Sequence, residues 1–202
     1  KYFRGYEEII SYSKKYFYQD SLQVMKIRGR VIDEVLRFSF VKHDGKKELT
    51  QNTNSLEAEF IISELQKLKE EDSASSVGII TPHTNQQKIL VEMISKLPEK
   101  DYFYDKLNLK IMTFDTCQGE ERDIIYYSLV ATEEDDHLWG VFIKDLNSVD
   151  TEEDGKIKAQ RLNVGFSRGK ECMHFVLSKS IEKYNGSIGD ALRHYFFMLT
   201  EA

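Results

Sequence analysis

Three polar segments hold the residues able to do chemistry in this chain of 202 residues. The first is Q-R-L-N-V-G-F-S-R-G-K, residues 160–170. Arg161 and Arg168 stand seven apart, two helical turns, so on a helix they share one side. An arginine at the end of such a helix can present its planar donor fork to a phosphate. Two solvated surface arginines explain the same spacing, and on spacing alone that is the commoner case. The second segment is T-F-D-T-C-Q-G-E-E-R-D-I-I-Y-Y-S-L-V, residues 113–130. It reads as strand, polar turn, strand. Gly119 lets the backbone turn tightly and approach a ligand, and Gln118 and Glu121 have the groups to hydrogen-bond a sugar or an ordered water. By composition alone, a surface loop between two buried strands accounts for it as well. The third segment is I-I-T-P-H-T-N-Q, residues 79–86. Thr then Pro at a strand end is good chemistry for starting a helix. Thr81 and the free N–H groups of that helix start would equally suit a phosphate.

The absences narrow the field. There is no G-x-x-x-x-G-K-[ST] phosphate loop, no C-x-x-C, no H-E-x-x-H and no G-x-S-x-G elbow. The five histidines (His43, His83, His137, His174, His194) show no metal-ligand spacing. A self-contained hydrolase or metalloenzyme is therefore not expected, and no metal site is assigned.

Short apolar runs alternate with helical patterns. Extended chain is expected over 30–41, 77–81, 109–114, 123–130 and 173–178, and helices over 5–18, 55–71, 84–97, 157–168 and 187–199. This alternation predicts βαβ units: an α/β fold with a mostly parallel sheet and helices on both faces. In such sheets ligands bind at the carboxyl ends of the strands, which is where the second and third segments are expected to fall.

With 31% charged and 12% aromatic residues, this is the composition of a globular chain. No apolar run approaches the ~18 residues that would span a membrane. Two cysteines, Cys117 and Cys172, build no disulfide framework and suggest a reducing compartment. No leader precedes K-Y-F-R-G-Y-E-E, so a cytoplasmic location is expected. The abrupt start without Met suggests a piece of a longer chain. The net charge of −6 argues at first against a nucleic-acid partner. Residues 133–154, however, hold nine acids against Lys144 alone, leaving 27 bases and 25 acids elsewhere. The excess is local, and the segment 131–156 reads as an acidic insertion in an otherwise single domain of residues 1–202. Its Trp139 is read as a clamp holding that loop to the domain.

Taken in order, these segments resemble the second RecA-like domain of superfamily 1 helicases. The branch is the 5′→3′ one that includes the nonsense-mediated-decay RNA helicase and its bacterial DNA relatives. R-L-N-V-G-F-S-R-G-K looks like that group's motif VI, usually R-L-N-V-A-L-T-R-A-K. T-F-D-T-C-Q-G-E-E-R-D-I-I looks like its motif V, usually T-V-D-x-F-Q-G-x-E-x-D-x-I. I-I-T-P-H-T-N-Q resembles I-x-T-P-Y-x-x-Q. The opening F-R, with F-Y at Phe17-Tyr18, resembles the Y-R … F-Y segment that begins the domain. Phe3 stands where tyrosine is usual, Cys117 where motif V has an aromatic, and Gly169 where alanine is usual. The Gly169 change would loosen the end of a motif VI helix by about 1 kcal/mol.

The resemblance implies a RecA-like P-loop NTPase fold, here the C-terminal half of an ATP-dependent helicase or translocase. It implies ATP and Mg²⁺, held mainly by a missing first RecA-like domain, and single-stranded nucleic acid as track, with DNA placed ahead of RNA. Arg168 and Arg4 would be the catalytic γ-phosphate arginines. Arg161, Gln118, Gly119 and Glu121 would face the nucleotide. Thr81, Pro82, His83 and Thr113 would face the nucleic-acid backbone. The chain alone is expected to be inactive. Two rivals stay open: a non-catalytic docking module of the same fold, and the motor part of a helicase–nuclease.

Overall fold

A computed structural model describes residues 22–23, 31–134 and 164–200. The helix expected over 5–18, Arg4, Arg161, Phe17-Tyr18, Trp139 and all but the first residues of the acidic segment lie outside the described residues.

Five strands form one sheet: β1 (Leu36–Phe40), β2 (Val77–Thr81), β3 (Lys110–Thr113), β4 (Arg122–Thr132) and β5 (Gly169–Ser178). Their order is β1-β5-β4-β2-β3, and every pairing is parallel. β2 is buried at all five positions, and β4 and β5 are buried over most of their length. Such continuous burial is what a sheet covered on both faces requires. Side chains alternate between faces, so neighbours sort into two cores. Ile80, Met112, Tyr127 and Leu177 enter one. Ile79, Ile111, Tyr126 and Val176 enter the other.

Helices α2 (Ser55–Glu70), α3 (Thr84–Ser95) and α4 (Lys100–Asp105) supply the second core with Ile61, Leu65, Leu90, Ile94 and Phe103. α5 (Gly186–Thr200) supplies the first with Leu192 and Tyr195. α2 begins at Asn54, whose side chain accepts from Glu57 N, and buries Ala58, Ile61, Ile62 and Leu65 at helical spacing. It stops where Asp72 turns left-handed at φ 52° and Ser73 N returns to Leu68 O. The α/β architecture with helices on both faces is therefore present. No helix among the described residues is long and apolar enough to cross a membrane.

Three local expectations change. The stretch 30–41 opens with one helical turn, α1 (Ile32–Val35), before β1. α4 was not expected; it is short and buries only Phe103, too little for a periodic signal. Of the helix expected over 157–168, the described residues 164–166 are helical and the helix ends before Arg168; Gly169 is the buried first residue of β5. The Gly169 change therefore loosens no helix.

One connection sets the geometry of everything below. β3 ends level with the end of β2, with Thr81 opposite Thr113. β4 begins level with the start of β2, with Val77 opposite Ile124. Eight residues, 114–121, must therefore travel back along the sheet by about 20 Å. They do so without a helix, over the face that Phe114 and Cys117 fill.

Candidate functional site

The second segment is thus stretched from one end of the sheet to the other. At its far end, Arg122 N donates to Arg168 O (3.1 Å), which sets Glu121 and Arg168 side by side at the amino ends of β4 and β5. This differs from the expectation that the polar motifs gather at the carboxyl ends. Register between distant strands decides the matter, and local sequence does not encode it.

Arg168 follows a tight turn in which Ser167 N reaches back to Val164 O (3.3 Å). Its half-buried guanidinium folds onto that turn, Nε donating to Val164 O (3.0 Å) and Nη2 to Ser167 Oγ (2.8 Å). A guanidinium has five N–H donors, so the fork is oriented and keeps donors for a ligand. Glu121 is exposed, with Lys170 Nζ at 3.9 Å. An exposed pair of that length adds little stability. Gln118 and Gly119 are also exposed. Gly119 has φ 77° and nothing within 4 Å of where a Cβ would sit, so backbone conformation, not space, requires glycine there.

The loop is stitched down beside these residues. The Glu120 carboxylate takes Lys110 Nζ (2.8 Å) and Arg122 Nη1 (3.0 Å), and those hydrogen bonds hold it below the usual carboxylate range. Arg122 also donates from Nε to Asn108 O (2.9 Å) and from Nη1 to Glu121 O (2.8 Å). Its stem passes Gly78, where a Cβ would meet Arg122, Met112 and Ile125. Cys117 is buried, and burial pushes its thiol up to about 11 against a smaller opposing pull from Arg168. It is a packing residue, not a nucleophile.

At the carboxyl end, Thr81 and Thr113 are adjacent but both buried. Thr81 Oγ1 has no hydrogen-bond partner. Thr113 N donates to Thr116 Oγ1 (3.0 Å), and the two hydroxyls are 3.2 Å apart. Pro82 is buried and His83 half-buried; His83 heads α3 without a side-chain cap. Thr84, Asp115 and Thr116 are exposed polar groups beside them. The structure therefore brings Thr81, Pro82, His83 and Thr113 together, and separates them from Gln118, Gly119, Glu121 and Arg168.

The two motif segments also pack directly through Phe114 and Gly165. A Cβ on Gly165 would collide with the Phe114 ring, so the ring needs glycine beneath it. Tyr127 OH donates to Gly165 O (2.7 Å) and fixes the same turn. Against the motif patterns quoted above, Phe114 replaces a valine and Gly165 an alanine. A larger side chain on one segment faces a smaller one on the other. Gly165→Ala should overpack this contact and cost about 1–3 kcal/mol. Adding Phe114→Val should recover most of that loss. Thermal melts of the single and double variants check it; strictly additive effects would contradict the contact.

A buried polar network went unread in the sequence. Glu57 is fully buried and accepts from Val130 N (2.9 Å), Ser128 Oγ (2.8 Å) and Ser178 Oγ (2.5 Å). Asn54 Nδ2 donates to Val130 O (3.0 Å) and Ser178 Oγ (2.8 Å). Gln86 joins from α3, exchanging bonds with the Asn54 backbone (2.8 and 3.0 Å) and donating to Ser128 Oγ (3.1 Å). Val130 sits at φ 69°, a strained conformation for a β-branched residue. Its N–H and C=O are held by Glu57 and Asn54. The available signal was N-x-x-E before an apolar helix, which reads as a capping box. Here the glutamate turns inward instead.

A family model described as an AAA domain matches residues 1–180. The chain belongs to this AAA domain family. An uncharacterized ATP-dependent helicase of Mycoplasma pneumoniae (strain ATCC 29342 / M129 / Subtype 1) is 27% identical over 182 residues, 81% of this chain and 15% of that protein. The DNA replication ATP-dependent helicase/nuclease of Gallus gallus is 28% identical over 102 residues, 50% of this chain and 8% of that protein. The crystal structure of the C-terminal domain of a possible DNA helicase from Lactobacillus plantarum WCFS1 aligns with TM-score 0.43 and 10% identity, covering 88% of this chain and 91% of that one. The chain spans less than a fifth of the length of both helicase relatives. Family and relatives agree with the motif reading: this is an AAA domain of the ATP-dependent helicase type.

Proposed function

We propose that this chain is the C-terminal half of an ATP-driven helicase or translocase that moves along single-stranded nucleic acid. The observation that carries the reading is the eight-residue segment 114–121. It joins Thr113, beside the Thr81-Pro82-His83 segment, to Glu121, beside Arg168. A motor needs such a link between its grip on the track and its fuel site.

In this reading ATP lies in the cleft with a first RecA-like domain and supplies the energy of its terminal phosphate bond. Arg168 offers donors to the γ-phosphate, joined by Arg4, while Arg161, Gln118, Gly119 and Glu121 line the nucleotide side. A donor fork and a carboxylate at one edge suit a phosphate and a sugar. They do not suit Mg²⁺: among the described residues no group of His, Cys, Asp and Glu is arranged to hold a metal. The motif resemblance gives the ion and the main nucleotide grip to the first domain. Phosphoryl transfer needs positioning and charge stabilisation more than covalent chemistry, which is what Arg168 is placed to give.

Thr81 and Thr113 act at the other end. Being buried, they reach a phosphate only if the chain around them opens; the first-turn N–H groups of α3 need no such change. Contacts of this kind grip without reading sequence. DNA is preferred as the track because the relative from Gallus gallus is named a DNA replication helicase/nuclease.

A photo-crosslinkable single strand tests the polarity of the domain. Attachment within residues 81–87 or 113–116 is expected. Attachment at 118–121 or 168–170 instead would reverse the assignment of the two ends.

A further inference from the structure

We propose that the β1–α2 loop, residues 42–53, is a second contact for single-stranded nucleic acid, in which Lys46 and Lys47 hold phosphates and Leu49 lies against a base. The proposal rests on the reading above and extends its carboxyl-end grip to a surface that no motif marks.

The loop stands at that same end. Asn85, in the first turn of α3 just after Thr81-Pro82-His83, donates from Nδ2 to Gln51 O (3.0 Å). On its other side Glu48 Oε1 accepts from Ser55 N (2.9 Å), Ser55 Oγ (3.0 Å) and His43 Nε2 (3.1 Å). His43 Nδ1 in turn accepts from Gly45 N (3.1 Å), and Asp44 Oδ1 from Lys46 N (3.0 Å). Thr53 Oγ1 closes the base of the loop onto Thr50 O (2.6 Å). The loop is thus held in one shape before any ligand arrives, which reduces the ordering cost of binding.

What it presents outward is unusual for a solvent loop. Leu49 is fully exposed. Lys46 and Lys47 are exposed and form no ion pair with a described residue. Of the acids of the loop, Glu48 is engaged on Ser55 and His43, while Asp44 accepts from the Lys46 backbone and stays exposed. Two exposed cations beside one apolar side chain match a polymer that alternates phosphate and flat apolar base. Beneath the loop lies a hollow of about 590 Å³, walled by Val130, Thr132, Glu134 and the loop itself. It falls in the size range of small-molecule sites, roughly 300–1,000 Å³, and could receive a base turned inward past Leu49.

The test is an anisotropy titration of the full-length protein with fluorescent dT20 and rU20 across a salt series. Each phosphate contact to a single strand contributes about 0.7 to the slope of log K against log salt. Lys46→Ala/Lys47→Ala should therefore lower the slope by about 1.4. Leu49→Ser should weaken binding by about fivefold without changing the slope, less than an aromatic platform would give. All three side chains are exposed, so unchanged melting temperatures are expected. Wild-type affinity and slope in both variants, with wild type binding normally, overturn the proposal and leave the carboxyl-end grip standing. Failure of the wild type to bind either strand removes both.

Discussion

Arg168→Ala lowers ATP turnover of the full-length protein by about 10³–10⁵-fold, the usual loss when an arginine finger is removed. Nucleotide affinity should change little, because in the proposed function the main grip on ATP lies in a first domain. The geometry behind this is specific. The guanidinium is oriented by Val164 O and Ser167 Oγ, beside the exposed Glu121. Arg168→Lys should rescue poorly, since an ammonium keeps the charge but loses the fork. Turnover and nucleotide affinity measured on the same variants separate the two effects. An unchanged kcat would remove Arg168 from the fuel site and favour a docking role for this domain.

Glu57→Ala destabilises the domain by about 3–5 kcal/mol, as breaking a buried network does. It leaves Val130 N–H and the hydroxyls of Ser128 and Ser178 without their acceptor, in a fully buried place. At roughly 2–4 °C per kcal/mol for a domain of this size, the melting temperature should fall by about 10 °C. Glu57→Gln keeps an acceptor for Val130 and Ser128 and should cost much less. It also changes the pH profile. Burial raises the Glu57 carboxyl from 4.5 to about 7, against the opposing pull of Ser178, Val130 and Ser128. A folded-state value above the unfolded one contributes stability that is full below pH 4.5 and is lost as pH rises through 7. Wild type should therefore lose up to about 3 kcal/mol relative to Glu57→Gln between pH 5 and 8. Denaturant melts at several pH values check this; parallel profiles would show that Glu57 does not titrate in that window.

Three strands were legible because each is a short, mostly apolar run: V-G-I-I-T, K-I-M-T and I-I-Y-Y-S-L-V name themselves once burial on both faces is allowed. The start of β5 was not, because G-K-E-C carries no apolar signal and pairs only through the neighbouring β4. The motifs located the site residues but not their arrangement. Thr113 and Glu121 are close in sequence yet lie at opposite ends of the sheet, whereas Glu121 and Arg168 are far apart in sequence and side by side in space. That information lives in strand register. Glu57 was hidden for a different reason: a glutamate three residues after an N-cap has an ordinary local explanation, and only the folded chain shows it serving Val130 instead. The Phe114–Gly165 fit was visible in neither segment alone, since it is a property of the pair.

In the proposed function this domain couples a single strand at one end of its sheet to ATP at the other. The most direct test is steady-state ATP turnover by the full-length protein, with no nucleic acid, with single-stranded DNA and with single-stranded RNA. Turnover that rises severalfold or more with a single strand, DNA above RNA, is the predicted result. Turnover indifferent to both strands, in a protein that binds ATP, would contradict the coupling and leave the segment 114–121 as a structural connection only.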